Sequence, residues 1–220
     1  MSEGASMKPY YQDKWVTIYH GDCREVLPEL KPVDLLFTDI PFNVNHNYLS
    51  YKDKLSKAGY DKLCRQWFSA MKPRAKAFII KAPTKTLPIV LPAFDDVLGY
   101  IWSIIQHSPN ATTHGAFNLS LFTQYLIGGE LSKRPCGDFF LNTNNTIVST
   151  HPAEMPTAPV KRLLAWFCEA GEAIIDPMCG SGTTLRAAKD INIYSIGIEI
   201  EEKYCEVAAK RCCQDVMELV

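Results

Sequence analysis

A doubly wound, mostly parallel α/β sheet is the fold class this sequence predicts, and three observations predict it. Short β-branched or apolar runs alternate with segments whose apolar residues recur at helical spacing, from Trp15 to the last turns of the chain. Several of those runs end on an acid followed by a glycine or proline turn, as in "LLFTDIP" and "AIIDPMCG". The chain has 220 residues, 47% of them hydrophobic and 21% charged, enough for one domain with a buried core.

The elements follow in order. "WVTIYHGD" reads as a strand closing on Gly21-Asp22, and "CREVLPEL" as a short helix behind it. "VDLLFTD" is a second buried strand, and 43–56 a polar loop. From Ser56, the residues Tyr60, Leu63, Cys64, Trp67, Phe68 and Met71 fall on one helical face, with Pro73 as the stop. "AFIIKA" is a third strand. Residues 107–150 have a different texture, polar loop chemistry around one strand, "LFTQYLIG". Order then returns with "APVKRLLAWFCEA", an amphipathic helix over 158–170 that Gly171 is placed to end. "AIIDP" (strand), "TTLRAAKD" (helix), "YSIGIEI" (strand) and "EEKYCEVAAKRC" (helix) complete the alternation. Neither an internal repeat nor a low-complexity tail is present.

Composition excludes several classes. No apolar run approaches the roughly 18 residues of a membrane span, and "MSEGASMKPYYQDKW" lacks a signal-peptide apolar region, so a cytoplasmic protein without membrane contact is expected. The eight cysteines form no C-x-x-C pair and have no histidine at ligand spacing, which predicts reduced thiols in apolar surroundings and no metal site. The net charge of −1 conceals an asymmetry: residues 43–85 hold ten Lys/Arg against Asp53 and Asp61, so +8, and the remainder carries −9. Such a stretch is either a solvated helix face with loops or a patch facing a polyanion.

The segment from "AIIDPMCGSGTT" to "GIEI" carries a cofactor signal. A strand delivers Asp176, Gly180 and Gly182 permit a tight turn with close ligand approach, and a helix begins near Thr183. Glu199 stands 23 residues after Asp176, where an acid grips ribose hydroxyls. Glycines alone would mark only a strand-to-helix turn. The loop lacks the lysine of a phosphate cradle, however, and it starts on an acid that repels pyrophosphate and welcomes an ammonium. A nucleoside joined to an ammonium fits S-adenosylmethionine better than NAD or ATP.

"DIPF" raises a second question. Ligands of open α/β sheets bind beyond the carboxyl ends of strands, so with "LLFTD" beside "AIIDP" the acids Asp39 and Asp176 meet at one crevice. Asp39 and the Ile40 carbonyl, held by Pro41, then offer two acceptors, and Phe42 a flat apolar face. These match an exocyclic amine on a flat ring. Two acceptors on its hydrogens free the delocalised lone pair for an electrophilic methyl, and stacking holds a flipped base. Read singly, Asp39 is a helix-capping acid and Phe42 a core aromatic.

Together these motifs resemble the amino-group DNA methyltransferases that modify adenine N6 or cytosine N4, in the β arrangement where the target-base motif precedes the cofactor motif. "TDIPFN" is similar to the family's (D/N/S)PPY motif, "DPMCGSGTT" to its glycine loop, and "GIEIEEKYCEVAAKR" to its following strand and helix. "HPAEMP" (151–156) resembles the H-P-T-x-K-P element, and "HGDC" (20–23) the strand end that contacts the cofactor adenine. The resemblance spans nearly the whole chain and implies a seven-stranded Rossmann-like methyltransferase sheet with helices on both faces. It implies one methyltransferase domain over 1–220, with 107–150 as a small loop-rich target recognition insert.

By the same resemblance, Asp39, Ile40, Pro41 and Phe42 form the catalytic turn. Asp176, Pro177, Cys179, Gly180, Ser181, Gly182 and Thr183 hold the methionine end of S-adenosylmethionine, with His151 and Pro156 beside it. Glu199 binds the ribose, and Asp22 with Cys23 the adenine. The implied reaction is methyl transfer to a base of double-stranded DNA, adenine N6 ahead of cytosine N4, with a homodimer and a restriction endonuclease as implied partners. Ile40, Phe42 and Met155 depart from the family's Pro, Tyr and Lys. RNA methylation and a non-catalytic DNA-binding relative are the competing readings.

Overall fold

The structure is a computed structural model that describes residues 7–45, 53–82, 84–108, 121–131, 137–141, 156–169 and 171–213. Its centre is a mixed sheet of nine strands: β1 (Tyr11–Gln12), β2 (Val16–His20), β3 (Val33–Asp39), β4 (Ala75–Ala82), β5 (Tyr100–His107), β6 (Phe122–Gly129), β7 (Phe139–Leu141), β8 (Ala173–Asp176) and β9 (Tyr194–Glu199). Their order across the sheet is β1-β2-β9-β8-β3-β4-β6-β5-β7. Nine strands replace the expected seven. β1 and β7, at the two edges, have two and three residues, too few for an alternating pattern to announce them.

The strands from β2 to β4 run parallel, whereas β6 is antiparallel to both β4 and β5. Among the described residues six α-helices cover the sheet: α1 (Cys23–Val26), α2 (Lys57–Met71), α3 (Leu87–Leu98), α4 (Thr157–Phe167), α5 (Thr183–Lys189) and α6 (Glu202–Cys213). One face packs against α2 and α3 through Leu36, Phe78, Ile80 and Ile175, and the other against α4 and α5 through Leu35, Phe37, Ile79 and Ile174. Central strands buried on both faces explain why β3 and β4 read as continuous apolar runs rather than alternations.

Helix α2 forms as its spacing predicts. Ser56 caps it by accepting from the Gly59 amide at 3.1 Å, and Tyr60, Cys64, Trp67, Phe68 and Met71 are buried. Each large apolar side chain so buried contributes roughly 1.5–3 kcal/mol. Helix α4 stops at Phe167, three residues before Ala170, because Cys168 turns to extended geometry (φ −109°, ψ 147°).

Helix α3 and strand β5 have no counterpart in the sequence reading. "LPIVLPAFDDVL" carries Pro92 inside the helix, a residue that removes a backbone donor and argues against helix. Burial of Val90, Ala93, Phe94 and Leu98 on one face outweighs that cost.

Connections leave β8 toward β9 through α5 and leave β3 toward β4 through α2, in opposite directions across the sheet. The topological switch point therefore lies between β8 and β3, the place beyond the strand ends at which open α/β sheets bind their ligands. Asp176 and Asp39 are the last residues of those two strands.

Candidate active site

The turn after β3 is held by residues from three other segments. Tyr60 on α2 donates its hydroxyl to the Pro41 carbonyl at 2.7 Å, and Thr86, just before α3, donates to the Phe42 carbonyl at 3.3 Å. The Asp53 carboxylate, only 2% exposed, accepts from the amides of Asn43 (2.6 Å) and Val44 (2.9 Å). Asn43, at φ +56°, exchanges two hydrogen bonds with the Leu55 backbone through its side-chain amide. The carbonyls of residues 41 and 42 are thus engaged, whereas among the described residues no hydrogen bond reaches the carbonyl of Ile40.

Ile40 itself divides between two roles. Its side chain is 1% exposed and belongs to the core with Leu36, Phe68 and Ile80. Packing therefore accounts for isoleucine here, and any direct role at the site falls to its backbone. Phe42 is half-buried and outside that core, so the reading of it as a core aromatic does not hold.

Asp39 keeps 28% side-chain exposure, yet its Oδ1 is shut off from solvent and has no hydrogen-bond partner among the described residues. Its Oδ2 accepts from the Lys81 ammonium at 2.6 Å. Burial pushes the Asp39 carboxyl above its ordinary range, and Lys81 opposes that push. Asp176, 3% exposed, accepts at Oδ1 from the Thr38 hydroxyl (2.8 Å) and the Met178 amide (3.1 Å). Burial raises it to about 6 against the hydrogen bonds of Thr184, Thr38 and Met178, with the Asp39 charge adding to the rise. Two carboxylates thus stand at the ends of neighbouring strands, and their charges oppose each other.

The glycine loop after β8 uses its residues unequally. Gly180 (φ +51°) and Gly182 (φ +79°) both occupy the left-handed region. A Cβ on Gly182 would lie 2.8 Å from the Ala208 Cβ, so this glycine lets α6 approach. A Cβ on Gly180 would meet nothing within 4 Å, so that position opens to space a ligand can fill. Ser181 and Thr183 turn their hydroxyls to the Arg211 guanidinium (3.5 and 2.9 Å). Cys179 is buried with Val16, Ile18 and Leu185, which leaves its backbone as the part a ligand could meet, and Pro177 is also buried.

Glu199 ends β9 and is 8% exposed. Its two oxygens accept from the amides of Gly180 (2.9 Å) and Glu201 (2.8 Å), which fixes the carboxylate beside the loop. Burial raises its pKa, and the Glu201 and Gly180 amides oppose the rise. Asp22 adjoins it, since the Gly21 amide donates to the Glu199 carbonyl at 2.9 Å. Asp22 caps α1 through the Arg24 amide and also receives the Arg24 guanidinium, which holds its carboxyl below the usual range. Cys23 is buried, and burial pushes its thiol up to about 12. Pro156 precedes α4, while His151 and Met155 lie outside the described residues.

Several cations of the basic stretch are tied into the fold. Lys76 at the start of β4 pairs with Asp34, Arg65 with Asp61 and Asp96, and Arg74 donates to the Leu30 carbonyl. Of this group Lys81 reaches the crevice. The sequence reading counted Lys81 and Asp53 only as charge, placed Tyr60 only on the apolar face of its helix, and gave no role to Thr38 or Thr86. Their partners lie up to 138 residues away in the chain, as for Thr38 with Asp176, and no local pattern encodes such a pairing.

Comparison with known proteins places this geometry. A family model, N6_N4_Mtase (DNA methylase), matches residues 92–210, more than half the chain. The match takes in the glycine loop and Glu199 but not the turn at 39–42. The type II methyltransferase M2.DpnII of Streptococcus pneumoniae is 22% identical over 247 residues, covering 93% of this chain and 92% of the relative. M.ScaI of Streptomyces caespitosus is 25% identical over 256 residues, covering 93% and 83%. Among solved structures, the cytosine-N4-specific PvuII DNA methyltransferase superposes with a TM-score of 0.78 at 16% identity, covering 96% of this chain and 91% of that one. The M1.HpyAVI–SAM complex gives 0.69 at 19% identity, covering 89% and 99%.

Proposed function

The chain belongs to the N6/N4 DNA methylase family, and on that footing we propose that it transfers a methyl group from S-adenosylmethionine to the exocyclic amine of a flipped base in double-stranded DNA, adenine N6 first and cytosine N4 second. The observation that carries this reading is the pair of unused acceptors at the turn. Among the described residues Asp39 Oδ1 is buried without a hydrogen-bond partner and the Ile40 carbonyl has none, while the carbonyls of Pro41 and Phe42 are tied down. A buried acceptor left empty costs about 1–3 kcal/mol, which a donor supplied by the substrate recovers.

The residues present fit the cofactor. Gly180 opens a space that a Cβ would fill, and the carboxylates of Asp176 and Glu199 suit a cationic, hydroxyl-bearing ligand far better than a phosphate. Asp176 receives the ammonium of the methionine end. Glu199 has lone pairs beyond its two amide bonds for ribose hydroxyls. Asp22 with Cys23 lies at the adenine end, where Arg24 turns away for Asp22 to accept from the base. Following the resemblance, His151 and Pro156 stand beside the methionine carboxylate.

When bound, S-adenosylmethionine supplies an electrophilic methyl group. The chain's own work is orientation. Asp39 Oδ1 and the Ile40 carbonyl accept the two amine hydrogens, which draws the nitrogen lone pair out of conjugation. Phe42 stacks on the base, worth roughly 1–3 kcal/mol. As positive charge develops on the amine nitrogen, the ionised Asp39 stabilises it.

The 107–150 segment, whose described parts include β6 and β7, is the proposed target recognition region. A homodimer and a cognate restriction endonuclease are proposed partners, because the relatives are type II methyltransferases. The test is a nucleoside digest of duplex DNA incubated with the protein and isotope-labelled cofactor. Labelled N6-methyladenine is expected, and labelled N4-methylcytosine would move the assignment to cytosine, the base of the PvuII enzyme. Label in RNA with none in DNA would overturn the reading. So would DNA binding indifferent to both the cofactor and Asp39→Ala, the behaviour of a non-catalytic relative.

A further inference from the structure

Lys81 is placed where its charge bears directly on the reaction. It lies one residue from the end of β4, in register with Asp39, and its ammonium meets Asp39 Oδ2 at 2.6 Å. The same ammonium sits 5.3 Å from the centroid of the Phe42 ring. One cation therefore links the acid and the stacking ring of the turn. Resting on the methyl-transfer reading above, we propose that Lys81 is a positioning residue: it keeps Asp39 ionised and anchors the carboxylate through Oδ2, so that Oδ1 keeps its lone pairs for the target amine.

The need for such a residue follows from what surrounds Asp39. Asp176 on β8 adds a second carboxylate to the crevice and Tyr125 on β6 a buried phenol, while Tyr60 on α2 and Asp53 hold the adjoining turn. None of these supplies positive charge. A buried carboxyl beside another carboxylate takes up a proton near neutral pH unless a cation stands by. Protonated, Asp39 would present an O–H to an amine that itself donates, and the acceptor pair would be broken. Geometry matters as much as charge. With Oδ2 held by the ammonium, Oδ1 is the oxygen that has no protein partner among the described residues.

The charge and the side-chain reach are separable by substitution. Lys81→Met keeps the apolar stem and removes the ammonium, whereas Lys81→Arg keeps the cation. Single-turnover methyl transfer to duplex DNA would be followed across about pH 6 to 9 for the wild type and both variants. The expected result for Lys81→Met is an acid limb moved up by about one pH unit or more, a defect about tenfold or more at the low end that narrows as pH rises, and cofactor affinity changed less than about twofold. Lys81→Arg restores most of the wild-type profile.

A readout independent of turnover is the carboxyl titration of carbon-13 aspartate-labelled protein, with Asp39→Asn to assign the Asp39 signal. Its midpoint rises in Lys81→Met and returns in Lys81→Arg. An unmoved midpoint, or a Lys81→Met defect equal at every pH, overturns the proposal and leaves Lys81 a packing residue. Absence of methyl transfer by the wild type would instead count against the function, and the titration still decides what Lys81 does to Asp39.

Discussion

The two turns that meet at the switch point are built in opposite ways. After β8, the glycine loop is largely assembled from its own neighbourhood: Asp176 accepts from the Met178 amide two residues on, Gly182 from its own amide donates to Cys179, and Glu199 closes it from the next strand. After β3, the turn at 39–42 is shaped from outside, by Asp53, Tyr60, Lys81 and Thr86 on separate segments. A loop made of its own backbone can be recognised from a short motif. A turn clamped by distant side chains shows its sequence but not its support. The same contrast explains why Ile40 is tolerated, since the clamp acts on the carbonyls of 41 and 42 and the core takes the side chain of 40.

Substitutions can separate the two turns by what they disturb. The largest effect is expected for Asp39→Ala, which should slow single-turnover methyl transfer by about 10²–10³-fold, as removal of a charged transition-state contact does. Calorimetric cofactor affinity should stay within about twofold of wild type, because the glycine loop does not depend on this turn. Glu199→Ala should do the reverse, weakening cofactor binding about 10–100-fold through loss of charge-assisted hydrogen bonds. Unchanged affinity in that variant would mean the ribose lies elsewhere.

Asp176→Asn tests the burial of charge under the glycine loop. A carboxyl raised to about 6 from the usual 3.8 takes up its proton more readily folded than unfolded. Stability therefore falls as pH rises through that window and is lowest above it. The variant should be more stable than wild type above about pH 7 by on the order of 1–3 kcal/mol in urea titrations without cofactor, and should lose that advantage below about pH 4. Its cofactor affinity should fall even as its stability rises, a trade common at functional sites. A variant less stable at every pH would show that the Thr38 and Met178 hydrogen bonds outweigh the charge.

Asp53→Ala leaves the Asn43 and Val44 amides without their acceptor. It should slow methyl transfer by about tenfold with the cofactor still bound, a sign that the outer clamp sets the turn. Thr86→Val removes only the 3.3 Å bond to the Phe42 carbonyl. A loss of about threefold or less is expected, the smallest of the series.

Much of the fold and part of the site could be read before any coordinates. The bounds of β3 fall where "VDLLFTD" predicts them, and α2 begins after Ser56, because a buried strand and an amphipathic helix write their period into neighbouring residues. The failures are equally physical. Helix α3 hides behind Pro92, since burial of Phe94 and Leu98 is a tertiary fact. Strand β6 was legible as a strand, but its antiparallel place between β4 and β5 was not.

The sequence by itself determined which residues stand at the ends of the central strands: Asp39 before Pro41, Asp176 before the glycines, Glu199 at the close of the next strand. Each sits beside its own turn signal, and turn chemistry is local. Only the tertiary structure decided which oxygen of Asp39 is left without a partner, that Ser181 and Thr183 turn to Arg211, and that Lys81, among ten cations of one stretch, stands beside the acid. Those choices depend on strand order and register. Both are settled by how apolar faces pack across the whole chain, and no short window of sequence contains that information.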